Sequence, residues 1–204
     1  MWETSQRKMS MRGGRRFAQS GSVAVEFGLI AIVFFAFLFG IMELARMMYM
    51  YNTLAEVTRS AAKAASNIDF RNMPALAAAR QQAIFRNTPG ELVVGKPITD
   101  QNIRIDYMSL ERQASGTLMM RPIATASLPA CPSQNRHNCL KNPYSNSCIR
   151  LVRVRVCSTG SAQCDRVPYD PLFPLVPLDV SLPNSTTIVS AETLGYSAGD
   201  ALCP

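Results

Sequence analysis

The residues with the clearest chemical potential are the cysteines, whose thiols can form disulfides or bind a metal. The chain of 204 residues has six cysteines, and all of them lie after residue 130. They are Cys131, Cys139, Cys148, Cys157, Cys164 and Cys203. An even number confined to one region is typical of disulfides formed in an oxidising compartment such as the periplasm. The turn-like sequence at 158–161 favours a local Cys157–Cys164 pair, and the other connectivities stay open.

Metal binding is the rival interpretation of the cysteines, and their spacing disfavours it. Zinc sites usually use Cys-x(2–4)-Cys pairs or histidines. The sequence has no such pair, and its single histidine, His137, lies in a polar stretch. It also lacks a Gly-rich phosphate loop, His-Glu-x-x-His and Gly-x-Ser-x-Gly. We therefore expect no catalytic residue, no metal, no cofactor and no enzymatic activity.

Basic residues are concentrated before a long apolar run, and this arrangement indicates a membrane topology. The net charge is +7, and residues 1–21 are strongly basic with Glu3 as their one acidic residue. Residues 27–42 carry no charge. Together with residues 22–26 they make about 31 Å of helix at about 1.5 Å per residue, which matches a bilayer core of about 30 Å.

Basic residues that precede a membrane span keep the N-terminus in the cytoplasm. The sequence therefore predicts a single-pass inner-membrane protein with its C-terminal part in the periplasm and no nucleic-acid partner. A cleavable secretory signal is the main alternative. Its apolar region would be shorter and would be followed by a small-x-small cleavage site, which residues 43–48 do not provide.

Glu26 is unusual because it falls inside the predicted span. A carboxylate in the bilayer interior costs about 2.5–3.5 kcal/mol or more, and this cost falls near the interface. Position alone permits two interpretations of Glu26. It is either an interfacial residue that reaches water or a functional charge with a partner.

An amphipathic helical pattern continues beyond the apolar run and predicts one helix over residues 22–68. Apolar and small residues recur at three- and four-residue steps, while Glu43, Arg46 and later polar residues recur on the other side. The predicted apolar stripe comprises Leu44, Met47, Met48, Tyr51, Leu54, Ala55, Thr58, Ala61, Ala62 and Ala65. Such a stripe packs either on the protein's own head or on a neighbouring copy's helix.

Residues 69–204 are predicted to form an α+β head with a small antiparallel sheet. A helix is expected over 75–87, and alternating or β-branched patterns indicate strands over 102–108, 117–126, 148–157 and 186–194. Residues 127–146 are predicted to be a disulfide-stapled loop. Residues 168–177 read as an extended, proline-rich segment. We expect that segment to bury Leu172, Phe173, Leu175 and Val176.

The start of the predicted helix carries a recognisable motif. Gly21 precedes small and apolar residues, then Glu26 and an aromatic, all after a basic leader. Together with the stretch Gly-Ile-Met-Glu-Leu-Ala-Arg at 40–46, it resembles the TadE-like family of minor pseudopilins in the tight-adherence (Flp) type IV pilus system. The resemblance covers about residues 20–65, and a weaker likeness extends to residues 168–172.

The resemblance implies a leader over 1–21, removed by a prepilin peptidase between Gly21 and Ser22. It implies that Glu26 contacts the new amine of a neighbouring subunit, and that the head at 69–204 is pilin-like. The implied partners are the inner membrane, prepilin peptidase, other pilins or pseudopilins and the pilus assembly machinery. The implied function is a minor pseudopilin-like component that assists assembly. The alternative is a membrane-anchored periplasmic binding or adhesion module with a disulfide-stapled head.

Overall fold

The structure is a computed structural model that describes residues 20–173, 180–199 and Cys203. Its fold is α+β, as the sequence predicts. The described helices are α1 (Ser20–Ala65), α2 (Met73–Ala83) and α3 (Pro132–Lys141). The described strands are β1 (Ile103–Arg112), β2 (Leu118–Pro122), β3 (Leu151–Val156) and β4 (Thr186–Ser190). The chain divides into two compact units between Ile41 and Met42. Residues 1–19 of the basic leader lie outside the described residues.

The first unit contains the apolar part of α1. Its large apolar side chains, such as Phe27, Ile32 and Phe37, are exposed. A window of this helix has a mean hydropathy of 2.5, and the helix is long enough to cross a bilayer. Water solvates such a surface poorly, whereas lipid chains match it. The first part of α1 therefore fits a single-pass membrane anchor.

The second unit contains the remainder of α1, and here the buried side of the helix differs from the predicted stripe. Leu44, Met48 and Tyr51 are exposed, and Glu43 and Arg46 are buried. The residues that do reach the core include Met50, Leu54, Val57, Ala61 and Ala65. The predicted stripe is thus correct from Leu54 onward except at exposed Ala55, and in its first two turns Met47 alone packs against the core. The reason is that a buried polar cluster, described below, occupies the core-facing positions there.

A four-stranded antiparallel sheet packs into the same core as α1. Its strand order is β2-β1-β3-β4, so β1 and β3 are central. Tyr107 of β1 lies opposite Val152 of β3, and this register puts tyrosine and valine on the core side. The Oγ1 atoms of Thr58 on α1 and Thr187 on β4 are 2.9 Å apart. Helix α1 is therefore packed on the protein's own head within this unit.

The stretch predicted as a stapled loop contains helix α3, which is a correction to the sequence-based prediction. Pro132 occupies the first turn, where its missing N–H is tolerated. The Asn135 side-chain oxygen accepts a hydrogen bond from the Ile149 N–H at 2.8 Å, and Cys139 is bonded to Cys148. These tertiary bonds hold a helix whose polar sequence gives almost no apolar periodicity.

The proline-rich segment is only partly described, because residues 174–179 lie outside the described residues. Pro168 bridges to Ser181, and Tyr169 is buried. Leu172, which was expected to be buried, is exposed, and Phe173 is half-buried. Among the described residues 168–173, Tyr169 is the buried side chain, and Leu175 and Val176 fall in the undescribed stretch.

The assignment of the buried side of α1 can be tested with two leucines of the predicted stripe. Leu54→Ala removes a fully buried side chain, so we expect a loss of about 2–5 kcal/mol in unfolding free energy. Leu44→Ala changes an exposed residue and should cost about 0.5 kcal/mol or less. Denaturation of the detergent-solubilised chain, followed by near-ultraviolet circular dichroism, measures both. Equal losses from the two variants would contradict the assigned burial.

Candidate functional site

The residues predicted to be processed and to contact a neighbour lie near the start of α1. Gly21, Ser22 and Glu26 belong to the first unit, and all three are exposed. A Cβ added at Gly21 would have no heavy atom within 4 Å. Glu26 lies one helical turn after Ser22, since a turn has about 3.6 residues. Their roles in cleavage and subunit contact remain predictions.

The head is cross-linked by three disulfides, which supports the expected use of all six cysteines. The pairs are Cys131–Cys203, Cys139–Cys148 and Cys157–Cys164. The last of these is the local pair that the sequence favours. The first has a sequence separation of 72 residues and ties Cys203 to the residue that precedes α3. Closing a long loop removes the most conformational freedom from the unfolded chain.

Arg46 is the centre of a buried polar cluster in the second unit. Its side chain is only 4% exposed. The guanidinium donates to three backbone carbonyls: Nε to Val94 at 3.0 Å, Nη2 to Lys96 at 2.8 Å and Nη1 to Asp170 at 2.7 Å. A single side chain of α1 therefore holds two distant chain segments, one around residue 94 and one around residue 170.

Glu43 and Tyr169 complete the cluster. Glu43 Oε1 is 3.2 Å from Arg46 Nη1 and accepts a short hydrogen bond from the Tyr169 hydroxyl. The Arg46 guanidinium also lies over the Tyr169 ring, 5.1 Å from its centroid, which adds a cation–π contact. Burial, reinforced by the hydrogen bond to Glu43, raises the pKa of Tyr169 to about 12. The phenol is therefore a neutral donor at physiological pH.

The charged and polar groups of this cluster stabilise one another in the interior. Arg46 and Glu43 carry opposite charges and meet through Glu43 Oε1, which offsets the cost of removing them from water, while Glu43 Oε2 is buried without a hydrogen-bond partner among the described residues. Sequence periodicity missed the cluster because it assigns Glu43 and Arg46 to the polar side of the helix. The available signal was a Glu and an Arg at i,i+3 immediately after an apolar span, since such a pair can form within one helix face.

A second polar cluster lies on the face of the sheet opposite the core. The Asp106 carboxylate receives Arg153 at 3.0 Å and Arg155 at 2.7 Å, and Arg104 lies 3.3 Å away. Arg104 and Arg155 are directly opposite each other in the β1–β3 pairing. Like charges at that spacing repel. Asp106 therefore neutralises a repulsion that the register of these strands creates.

Carboxylates of the described residues lie close to arginines. Across residues 20–173, 180–199 and Cys203, no group of three or more His, Cys, Asp or Glu side chains could hold a metal ion. Carboxylates such as Glu43 and Asp106 instead face arginines. The geometry of the described residues thus supports structural roles for these charges.

The cluster at Arg46 can be tested against an exposed ion pair on the same helix. Arg59 and Glu56 have the same i,i+3 spacing as Arg46 and Glu43, but both side chains are more than half exposed. Arg46→Met should lower the unfolding free energy by about 3–5 kcal/mol, because it strands a buried carboxylate. Arg59→Met should cost about 1 kcal/mol or less. Chemical denaturation of both variants provides the measurement, and similar losses would contradict a special role for Arg46.

The raised pKa of Tyr169 predicts a loss of stability in alkali. The folded protein keeps the Tyr169 proton up to a pKa of about 12, whereas the unfolded chain releases it near a pKa of about 10. Stability is therefore full below pH 10 and falls as the pH rises toward 12. Tyr169→Phe should make this fall shallower, by up to about 1.4 kcal/mol per pH unit. Unfolding free energies measured from pH 10 to pH 12 test this prediction, with Tyr51→Phe as an exposed control. If the loss of stability per pH unit were unchanged in Tyr169→Phe, the raised pKa of Tyr169 would be contradicted.

Comparison with known proteins finds a family match within α1. Residues 21–63 match the family described as TadE-like protein. No curated protein and no solved structure matches the chain. The matched segment starts at Gly21 and contains Glu26, Glu43 and Arg46, so it includes the helix side of the buried cluster. Residues 21–63 therefore form a TadE-like segment of the chain.

Proposed function

We propose that this protein is a minor pseudopilin-like component that assists assembly of a tight-adherence (Flp, type IVb) pilus. The observation that carries the proposal is the family match over residues 21–63, which suggests a role in Tad pilus-related systems. The match begins at the glycine that the prepilin-type motif places before the cut. It also includes Glu26 and the whole apolar part of α1.

In this proposal, a prepilin peptidase of the membrane cleaves between Gly21 and Ser22. Gly21 suits a protease site because the absence of a side chain allows close approach of the enzyme to the backbone. The open space around Gly21 is compatible with such an approach. Cleavage would give Ser22 a positively charged amine at the start of α1.

Glu26 then acts as the contact residue for a neighbouring subunit. Its side chain is exposed in the single chain, so nothing in the described residues neutralises it. An amine from a neighbouring pilin or pseudopilin would pair with this carboxylate and offset its cost in the membrane. Such a pair would also fix the axial register of the two helices.

The proposed location is the inner membrane, with a cytoplasmic N-terminus and a periplasmic head. The basic residues of 1–21 favour this orientation. The three disulfides of the head agree with it, because disulfides persist in oxidising compartments. The head would serve assembly without catalysis, since the carboxylates that it buries are bound to arginines. The sequence resemblance implies that major Flp pilins have almost no head. The large head of this chain therefore distinguishes it from them.

Processing can be tested by co-expression of the full chain with a prepilin peptidase, followed by measurement of the product's mass. We expect a chain that starts at Ser22, and we expect Gly21→Phe to abolish cleavage because a bulky residue blocks the protease cleft. Glu26→Gln should be cleaved normally but should fail to assemble. Recovery of uncut wild-type chain as the sole product would refute the processing claim.

Gly28→Phe is the matched control for Gly21→Phe. Both glycines lie in α1, and neither has a heavy atom within 4 Å of an added Cβ. A loss of cleavage in both variants would indicate a general effect on helix insertion. Loss in Gly21→Phe alone would assign the effect to the cut site. An N-terminus at Met1 in the native protein would instead favour an uncleaved anchor.

A further inference from the structure

Four exposed side chains with apolar bodies surround the Arg46 cluster at one edge of the second unit. They are Tyr49, Val93, Val94 and Leu172, which we call the apolar rim. Val93 is 53%, Val94 61% and Leu172 58% exposed. A soluble head would normally place polar turn residues at such loop positions. An exposed apolar group of this kind marks an interaction site.

Hydrogen bonds fix the position of the apolar rim on α1. Arg46 holds the carbonyl oxygens of Val94 and Asp170, so the segments that carry Val94 and Leu172 meet at one guanidinium. The Leu172 N–H lies 3.4 Å from Glu43 Oε1, and the Tyr49 hydroxyl donates to the Val93 carbonyl at 3.2 Å. The polar backbone is thereby bonded to α1, while the valine and leucine side chains stay exposed.

Val94, in the exposed loop of the apolar rim, has a backbone conformation that valine seldom adopts. Its φ is +56°, in the left-handed region. This conformation is unfavourable for a β-branched residue and costs about 1–3 kcal/mol. Glycine or asparagine would relieve the strain. The Arg46 bond to Val94 maintains the strained backbone, which keeps a branched apolar side chain at the exposed tip.

The position of the rim along α1 matches a membrane interface. Glu43, whose Oε1 contacts the Leu172 N–H, lies about 1.5 Å beyond Met42, the last residue of the uncharged run, at about 1.5 Å per residue. Arg46 lies about 6 Å beyond Met42 by the same rise. The headgroup layer on each side of the hydrocarbon core is about 5–8 Å thick. Exposed Lys96, two residues after Val94, suits the phosphates of that layer.

We propose that the apolar rim inserts into the phospholipid interface and seats the head on the membrane surface. The inference rests on the membrane anchoring in the proposed function and goes beyond it, because a simple anchor would leave the head free of the lipid. Arg46 is the positioning residue of this contact: it joins the helix to both segments that carry the rim.

Tryptophan fluorescence of the full chain in phospholipid nanodiscs tests the proposal. The one native tryptophan is first removed by Trp2→Phe, and single tryptophans are then introduced as Val93→Trp and Leu172→Trp. Phospholipids brominated on their acyl chains should reduce the emission of both to less than half of its value in unbrominated discs. Alkylation under denaturing conditions, read by intact mass, confirms for each variant that its three disulfides have formed.

Two further tryptophans separate the possible failures. Leu140→Trp is the matched control, because Leu140 is exposed on α3. Helix α3 is connected through Ile149, Arg150 and Ala191 to the region of Ser66, which lies about 30 Å along α1 from Arg46. Its emission should not change. Phe37→Trp reports the anchor itself and should be strongly quenched.

Each remaining outcome overturns the inference in a distinguishable way. Unquenched rim tryptophans with a quenched Phe37→Trp would show that the anchor holds and the head does not touch lipid. Rim tryptophans shielded from aqueous iodide but not quenched by bromolipid would show that a second copy or another protein covers the rim. An unquenched Phe37→Trp would overturn the membrane anchoring and, with it, the inference.

Discussion

The fold of the head depends on one buried guanidinium. Arg46 occupies a core-facing position of α1 where an apolar side chain would ordinarily lie, and it binds carbonyls near residues 94 and 170 together with Glu43 and Tyr169. A buried arginine is stable only when its donors are satisfied. The loop near residue 94 and the segment near residue 170 must therefore adopt conformations that present carbonyl oxygens to it. The strained backbone of Val94 and the buried ring of Tyr169 both follow from this requirement.

Beyond Arg46, α1 packs by ordinary apolar contact. From Met50 to Ala65 its buried side chains share one core with β1, β3 and the residues around Leu194. Small residues such as Ala61 and Ala62 allow the helix to approach its neighbours closely, and the disulfides fix the segments that have little regular structure. The head thus combines a polar junction at one end of this stretch with a tightly packed helix and sheet further along.

The sequence predicted the elements whose patterns are local. The long helix, the second helix and the four strands all appear close to their expected positions, because an apolar run, an alanine-rich stretch and β-branched alternation each act over a few residues. It missed α3, whose polar residues are held by Asn135 and the Cys139–Cys148 bond. It also put Glu43 and Arg46 on the wrong side of α1. Both errors have one cause: tertiary bonds hold polar residues in place, and apolar periodicity records neither the bond from Arg46 to Asp170 nor the bonds of α3 to Ile149 and Cys148.

The shared use of α1 has a consequence for release of the head from its anchor. The residues from Met50 to Ala65 belong to the core of the head, and Glu43 and Arg46 hold its loops in place. A protease that cut anywhere between residues 43 and 65 would remove part of the fold along with the tether. An intact head can be shed from the membrane only by a cut that leaves Glu43 attached to it.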